Sequence, residues 1–93
     1  MKKLLDSEVK SQLKSIPGWE FKQNSLQINL TFSSFQECMT IVNKIANESE
    51  LLNHHPEWTN SFNTLSIKLM THDVEGITLL DFKLAKAIVR ITE

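Results

Sequence analysis

The residues best suited to chemistry in this sequence are its three histidines, His54, His55 and His72. An imidazole can give or take a proton near neutral pH because its ordinary pKa is about 6.5. Two of the histidines are adjacent, and the third follows at the end of a segment of alternating polarity. This grouping makes a shared acid–base site an alternative to three ordinary surface or core histidines.

A metal site is the competing interpretation, because histidines and carboxylates are also metal ligands. Adjacent residues of an extended segment point to opposite sides, so His54 and His55 are poorly placed to share one ion. His-x-x-x-His, Glu-x-x-His and paired-cysteine spacings are all absent. The only cysteine, Cys38, lies among apolar helix positions and is interpreted as packing. We therefore expect no metal, no covalent nucleophile and no bound cofactor.

Length and charge indicate a single domain that does not bind nucleic acid or an acidic membrane surface. The 93 residues predict one domain, 1–93, with ten basic and eleven acidic residues and a formal net charge of −1. This balance provides no excess of basic residues for binding nucleic acid or an acidic membrane surface.

The sequence also predicts no membrane segment. The apolar run after the basic start ends at Asp6, and no segment approaches the ~18 apolar residues of a membrane span. With a single cysteine, a cytoplasmic location is expected.

The elements that must position the histidines follow from changes in hydrophobic period. Residues 6–16 predict a helix capped by Asp6 or Ser7 and stopped by Pro17-Gly18. Residues 19–22 and 26–32 predict two strands joined by a turn at Gln23-Asn24.

A second helix is expected from Phe35 to about Leu52, opened by a capping box between Ser34 and Glu37. At ~100° per residue its apolar side chains spread over roughly 120°, widening to roughly 160° with Ile41 and Leu52. These side chains are those of Phe35, Cys38, Met39, Val42, Ile45 and Ala46. Leu51 lies outside this arc. This arc is wider than the ~100° that packing against the core needs. The extra apolar width predicts a subunit interface.

A loop over residues 53–56 then leads to a second predicted hairpin, with strands at 58–62 and 65–71 around Asn63-Thr64. Gly76 interrupts the chain, and Thr78 to Asp81 opens a last helix. The order α-β-β-α-β-β-α favours an α+β fold, with helices packed on one face of a largely antiparallel sheet.

The spacing of the histidines and their neighbours resembles the pterin-4a-carbinolamine dehydratase family. The family pattern is a charged residue, three positions, His-His-Pro, five positions, an aromatic, nine positions, His, then Asp after eight or more. This sequence meets it in register from Glu50 through His54-His55-Pro56, Phe62 and His72 to Asp81. Gly18-Trp19 and the Trp58 that follows Pro56-Glu57 are also similar to family members, so the resemblance covers essentially the whole chain.

The resemblance implies roles for particular residues. His54 and His72 would be the acid–base pair, with either one as the acid, and His55 would hold the substrate. Pro56, Thr71 and Asp73 would line the pterin site. Supporting positions are Glu50, which could also be a solvated helix residue, and Asp81, which could simply complete a capping box. Trp19 could stack on a pterin, although core packing is the simpler interpretation.

The family also implies a four-stranded antiparallel sheet, a homodimer or homotetramer, and a function. That function is dehydration of 4a-hydroxytetrahydropterin to quinonoid dihydropterin, which recycles the pterin cofactor of aromatic amino acid hydroxylases. The alternative is a protein-interaction module that stabilises dimers of a transcription factor. Asn53 replaces an acidic residue found in some relatives, which removes a carboxylate that could orient a histidine.

Overall fold

The computed structural model describes all 93 residues, and it contains one sheet of four antiparallel strands in the order β1-β2-β4-β3. The strands are β1 (Glu20–Lys22), β2 (Ser25–Thr31), β3 (Glu57–Ser61) and β4 (Thr64–Leu69). The helices are α1 (Asp6–Gln12), α2 (Phe35–Leu52) and α3 (Leu79–Thr92). The predicted α+β class and the element order are confirmed.

The first helix is shorter than predicted, and its cap is different. The α-helix ends at Gln12 and continues as a single 3₁₀ turn, Leu13–Ser15. The expected cap at Asp6 or Ser7 is wrong. Leu5 is the N-cap, and the Glu8 carboxylate accepts its backbone N–H at 2.8 Å. Glu8 therefore makes one of the two hydrogen bonds of a capping box, the one between its carboxylate and the N-cap backbone. Leu5 has no side-chain oxygen to make the other.

The two hairpin turns differ in how well the sequence predicted them. Gln23 and Asn24 both have positive φ, +53° and +60°, as the tight turn between β1 and β2 requires. The second turn is Phe62-Asn63, one residue earlier than predicted, with Phe62 at φ +50°. Asn63 exchanges hydrogen bonds with the backbone of Phe32, donating from its side chain at 2.7 Å. This contact holds Asn63 in the turn and lets Thr64 complete the strand pairing.

The long helix α2 has the predicted bounds. Ser34 Oγ accepts the Glu37 backbone N–H at 3.0 Å, but the Glu37 carboxylate accepts the N–H of Ser33, not that of Ser34. Its fully buried residues are Cys38, Ile45 and Ser49. Phe35, expected on the buried arc, is 48% exposed, whereas Leu51 is 80% exposed as its position outside the arc predicts.

The hydrophobic core lies between the helices and one face of the sheet. Strand β4 contributes Leu65, Ile67 and Leu69, each almost fully buried, and α3 packs against α2 beside them. The alternate residues of the strands, such as Gln27 and Lys68, lie on the opposite, polar face. No helix of this structure combines the length and apolar character that a membrane crossing needs.

Candidate active site

Two chain reversals bring the histidines together. Helix α2 ends at Leu52, where Asn53 adopts the left-handed conformation at φ +51° and the His54 N–H donates to the Ser49 carbonyl. Strand β4 ends at Leu69, and after a bridge between Thr71 and Gly76 the chain forms a 3₁₀ turn, His72–Val74. The predicted strand to Thr71 is therefore too long, because Thr71 bonds across its own loop.

A surface hollow of about 280 Å³ lies between these two reversals. It is lined by Asn53, His54, His55, Met70, Thr71, His72 and Asp73. Two larger hollows, of about 370 and 410 Å³, contain no histidine. A volume near the lower end of the ~300–1,000 Å³ typical of ligand pockets suits a small molecule. All three histidines therefore share one concave surface.

His54 is the most enclosed of the three. Its side chain is 11% exposed, and its Nε2 lies 2.6 Å from Oδ1 of Asp81, whose side chain is completely buried. A carboxylate in this position holds an imidazole in one orientation. Asp81 comes from the first turn of α3, so the tertiary packing of α3 sets the position of the histidine.

Asp81 also completes the capping box that the sequence predicted, with Thr78 as the N-cap of α3. Its Oδ2 accepts the Thr78 backbone N–H at 2.9 Å and the Thr71 hydroxyl at 2.8 Å, while Oδ1 faces His54. The two interpretations of Asp81, cap and site residue, are therefore compatible because each uses a different oxygen. The Thr71 hydroxyl is taken up by this contact and by one with the Thr78 hydroxyl at 2.9 Å.

His55 has a second carboxylate, but an exposed one. Its Nε2 contacts Oε2 of Glu50, and the two side chains are 58% and 75% exposed. Pairs of this kind contribute little to stability because water screens them. Glu50 therefore lies beside the hollow through His55 and does not line it.

His72 is exposed and makes no side-chain hydrogen bond within the chain, as the first residue of its 3₁₀ turn. Its imidazole is free to bind another molecule. Asp73, next to it, is also exposed and lines the hollow.

Four of the residues carried over from the resemblance do not line the hollow. Glu50 and Asp81 each bond to a histidine that lines it. Pro56 is half-buried where the loop joins β3. Trp19 is 5% exposed within the core, where its indole N–H has no hydrogen-bond partner. Conversely, Asn53 and Met70 line the hollow and were not predicted to bind substrate. Their only sequence signal was proximity to the histidines, because Asn53 directly precedes His54 and Met70 lies two residues before His72.

The chemistry that this arrangement supports is proton transfer. No three His, Cys, Asp or Glu side chains approach closely enough to hold a metal ion. The hollow instead offers one histidine fixed by a buried carboxylate, one in an exposed pair and one that is free. Such a set can act on a molecule held by hydrogen bonds along its edges.

Comparison with known proteins points to one family. Residues 2–91 match the family model described as pterin 4 alpha carbinolamine dehydratase. A protein of Christiangramia forsetii that carries the provisional name pterin-4-alpha-carbinolamine dehydratase is 44% identical over 93 residues, covering 100% of this chain and 96% of that one. A Prochlorococcus marinus protein with the same provisional name is 49% identical over 87 residues, covering 92% and 91%.

A solved structure from Brucella melitensis, described as a transcriptional coactivator/pterin dehydratase, superposes with a TM-score of 0.96. It is 30% identical, and the match covers 99% of this chain and 100% of that one. The fold and the hollow define a small α+β protein with a histidine-lined site. The chain belongs to the pterin-4-alpha-carbinolamine dehydratase family.

Proposed function

We propose that this protein removes water from 4a-hydroxytetrahydropterins and releases quinonoid dihydropterins, thereby recycling the pterin cofactor of aromatic amino acid hydroxylases. The observation that carries the proposal is the single hollow shared by His54, His55 and His72, with His54 held by a buried carboxylate. Family membership and the provisional names of the relatives support the same substrate class.

The reaction needs an acid and a base on one flat heterocycle. The C4a–O bond breaks, and an imidazolium protonates the departing hydroxide to give water. A neutral imidazole takes the proton from N5, so that an N5–C4a double bond forms. His54 and His72 are the proposed acid–base pair, one from each side of the hollow, while His55 holds the substrate. Each well-placed acid or base contributes about 10²–10⁴-fold.

The test is the decay of freshly generated 4a-hydroxytetrahydropterin, followed optically with and without the protein. We expect a catalysed rate that depends on pH between about 5 and 8, because histidines change charge in this range. The rate should fall toward acid pH as the base becomes protonated. Decay no faster than in buffer, or a catalysed rate that does not vary over this range, would contradict the proposal.

We also propose that the protein is a homodimer or homotetramer. One flank of α2, formed by Phe35, Met39 and Ala46 within an arc of about 40°, is only partly covered by the chain itself. Strand β3 pairs only with β4 and has a free edge. The alternative role as a module that stabilises transcription-factor dimers would need a surface of this kind, and the description of the Brucella protein is the observation in its favour.

A further inference from the structure

Three hydrogen bonds connect α3 to the buried side of His54 through two threonines. Thr78 Oγ1 accepts the Leu80 backbone N–H at 3.2 Å, and it lies 2.9 Å from Thr71 Oγ1. Thr71 Oγ1 lies in turn 2.8 Å from Asp81 Oδ2. Thr78 and Asp81 are completely buried, so water does not compete for these groups.

The direction of these bonds follows from counting protons. An ionised carboxylate only accepts, and each threonine hydroxyl has one proton to donate. Thr71 donates its proton to Asp81 Oδ2. The hydroxyl of Thr78 must therefore donate to Thr71, since Thr71 has no second proton. The result is a one-way chain from the α3 backbone through Thr78 and Thr71 to the carboxylate.

This chain also holds Asp81 in the orientation that sets which nitrogen of His54 is protonated. Asp81 Oδ2 receives two donors, Thr71 Oγ1 and the Thr78 backbone N–H, which leaves Oδ1 for the imidazole. Because Oδ1 accepts, Nε2 of His54 must carry a proton. The other ring nitrogen, Nδ1, has no hydrogen-bond partner within the chain. In the neutral ring Nδ1 is therefore the atom with a free lone pair.

We propose that Thr71 and Thr78 are positioning residues that fix the tautomer of His54, so that Nδ1 is the atom that exchanges a proton with the substrate. This inference rests on the proposed function for the identity of the substrate. It assigns Thr71 an action through Asp81 in place of direct contact with a pterin. Thr78, in addition to capping α3, becomes part of the catalytic arrangement.

The experiment compares Thr71→Val, which keeps the shape of the side chain but has no hydroxyl, with Thr71→Ser, which keeps the hydroxyl. Thr40→Val is the matched control, because the Thr40 hydroxyl bonds only to the Gln36 carbonyl on α2. Each variant is measured by ¹⁵N NMR of the His54 ring at a pH where it is neutral, and by kcat and KM for dehydration. Circular dichroism checks that each variant is folded.

In the wild type and in Thr40→Val we expect Nε2 protonated and Nδ1 unprotonated. In Thr71→Val we expect a mixture of the two tautomers, because Asp81 loses one of the two donors that hold Oδ2 and its carboxylate can turn away from His54. We also expect kcat to fall about 10-fold with little change in KM, because a histidine that is no longer held spends less time in the reactive geometry. Thr71→Ser should restore both. The same comparison at Thr78 should change both in the same direction but less, because Thr71 still donates to Asp81 when the Thr78 hydroxyl is lost.

Two results would overturn the inference: a wild-type His54 with its proton on Nδ1, or a folded Thr71→Val that keeps both the wild-type tautomer and the wild-type kcat. The NMR measurement needs no substrate. A wild type with no dehydratase activity therefore overturns the proposed function, and its tautomer still decides separately whether the threonine chain fixes His54.

Discussion

At the scale of single residues, the two adjacent histidines each have a carboxylate partner, and burial distinguishes the two pairs. Asp81 is completely buried against His54, whereas Glu50 is 75% exposed beside His55. A buried, fully hydrogen-bonded carboxylate holds its partner in one geometry. An exposed pair exchanges readily with water and is screened by salt. We therefore expect the two carboxylates to differ strongly in their effect on catalysis.

Asp81→Asn should reduce kcat by about 10²–10⁴-fold, by analogy with the loss of about 10⁴ when a triad aspartate becomes asparagine and the histidine takes the wrong tautomer. The amide oxygen can still accept from Thr78 and Thr71, which turns the amide NH₂ toward His54 and forces Nε2 to accept. Steady-state kinetics checks this, with circular dichroism as the control for folding. An Asn variant as active as the wild type would show that the carboxylate only caps α3.

Glu50→Gln should change kcat by less than about 5-fold, because exposed ion pairs contribute only ~0–1 kcal/mol. The same assay, run at low and high salt, gives the comparison with Asp81→Asn. A loss as large as that of Asp81→Asn would mean that His55 depends on the Glu50 charge and takes a direct part in proton transfer.

At the scale of elements, local signals predicted those features that local contacts decide. Helix α2 ends where the sequence predicted, and Gln23-Asn24 forms the predicted turn. The sequence failed where a distant partner decides the outcome, as at Phe62-Asn63, where Phe32 holds the turn. For the site, the histidines were predictable from type and spacing. The bonds between Thr71, Thr78 and Asp81 were not, since they depend on how α3 packs against the end of β4.

Ser34→Ala separates stability from function at the element scale. Ser34 caps α2 at the end opposite His54, about 27 Å away along an 18-residue helix. Losing the cap should cost about 1 kcal/mol, lowering Tm by about 4–8 °C. The kcat at 25 °C should not change. Thermal unfolding followed by circular dichroism, together with the rate assay, checks both expectations. A large loss of kcat in the folded variant would contradict the view that α2 acts only as a support.

At the scale of the whole molecule, one face of the sheet is covered by helices and the other is polar. The site lies at the junction of α2, β4 and α3, where three chain segments far apart in sequence must pack correctly. The proposed catalysis therefore requires the complete core even though every residue proposed to touch substrate lies in a loop or turn.

The partly covered apolar flank of α2 predicts that the whole molecule self-associates. Sedimentation equilibrium should show a dimer or a tetramer, and Phe35→Glu should weaken it because a charge would enter the apolar flank of α2. Leu51→Glu is the matched control, since Leu51 is 80% exposed on the other side of the same helix. A wild type that is monomeric at all concentrations, or equal effects of the two variants, would contradict the proposed flank.

The proposed mechanism requires imidazoles from the two sides of one hollow to act on one pterin. The most direct test is the dehydration rate of 4a-hydroxytetrahydropterin with His54→Ala, His72→Ala and the double variant, each shown to be folded. We predict losses of about 10²–10⁴-fold for each single variant, and a double variant little worse than the poorer single one, as expected for groups that act as a unit. Single variants as fast as the wild type would contradict the claim.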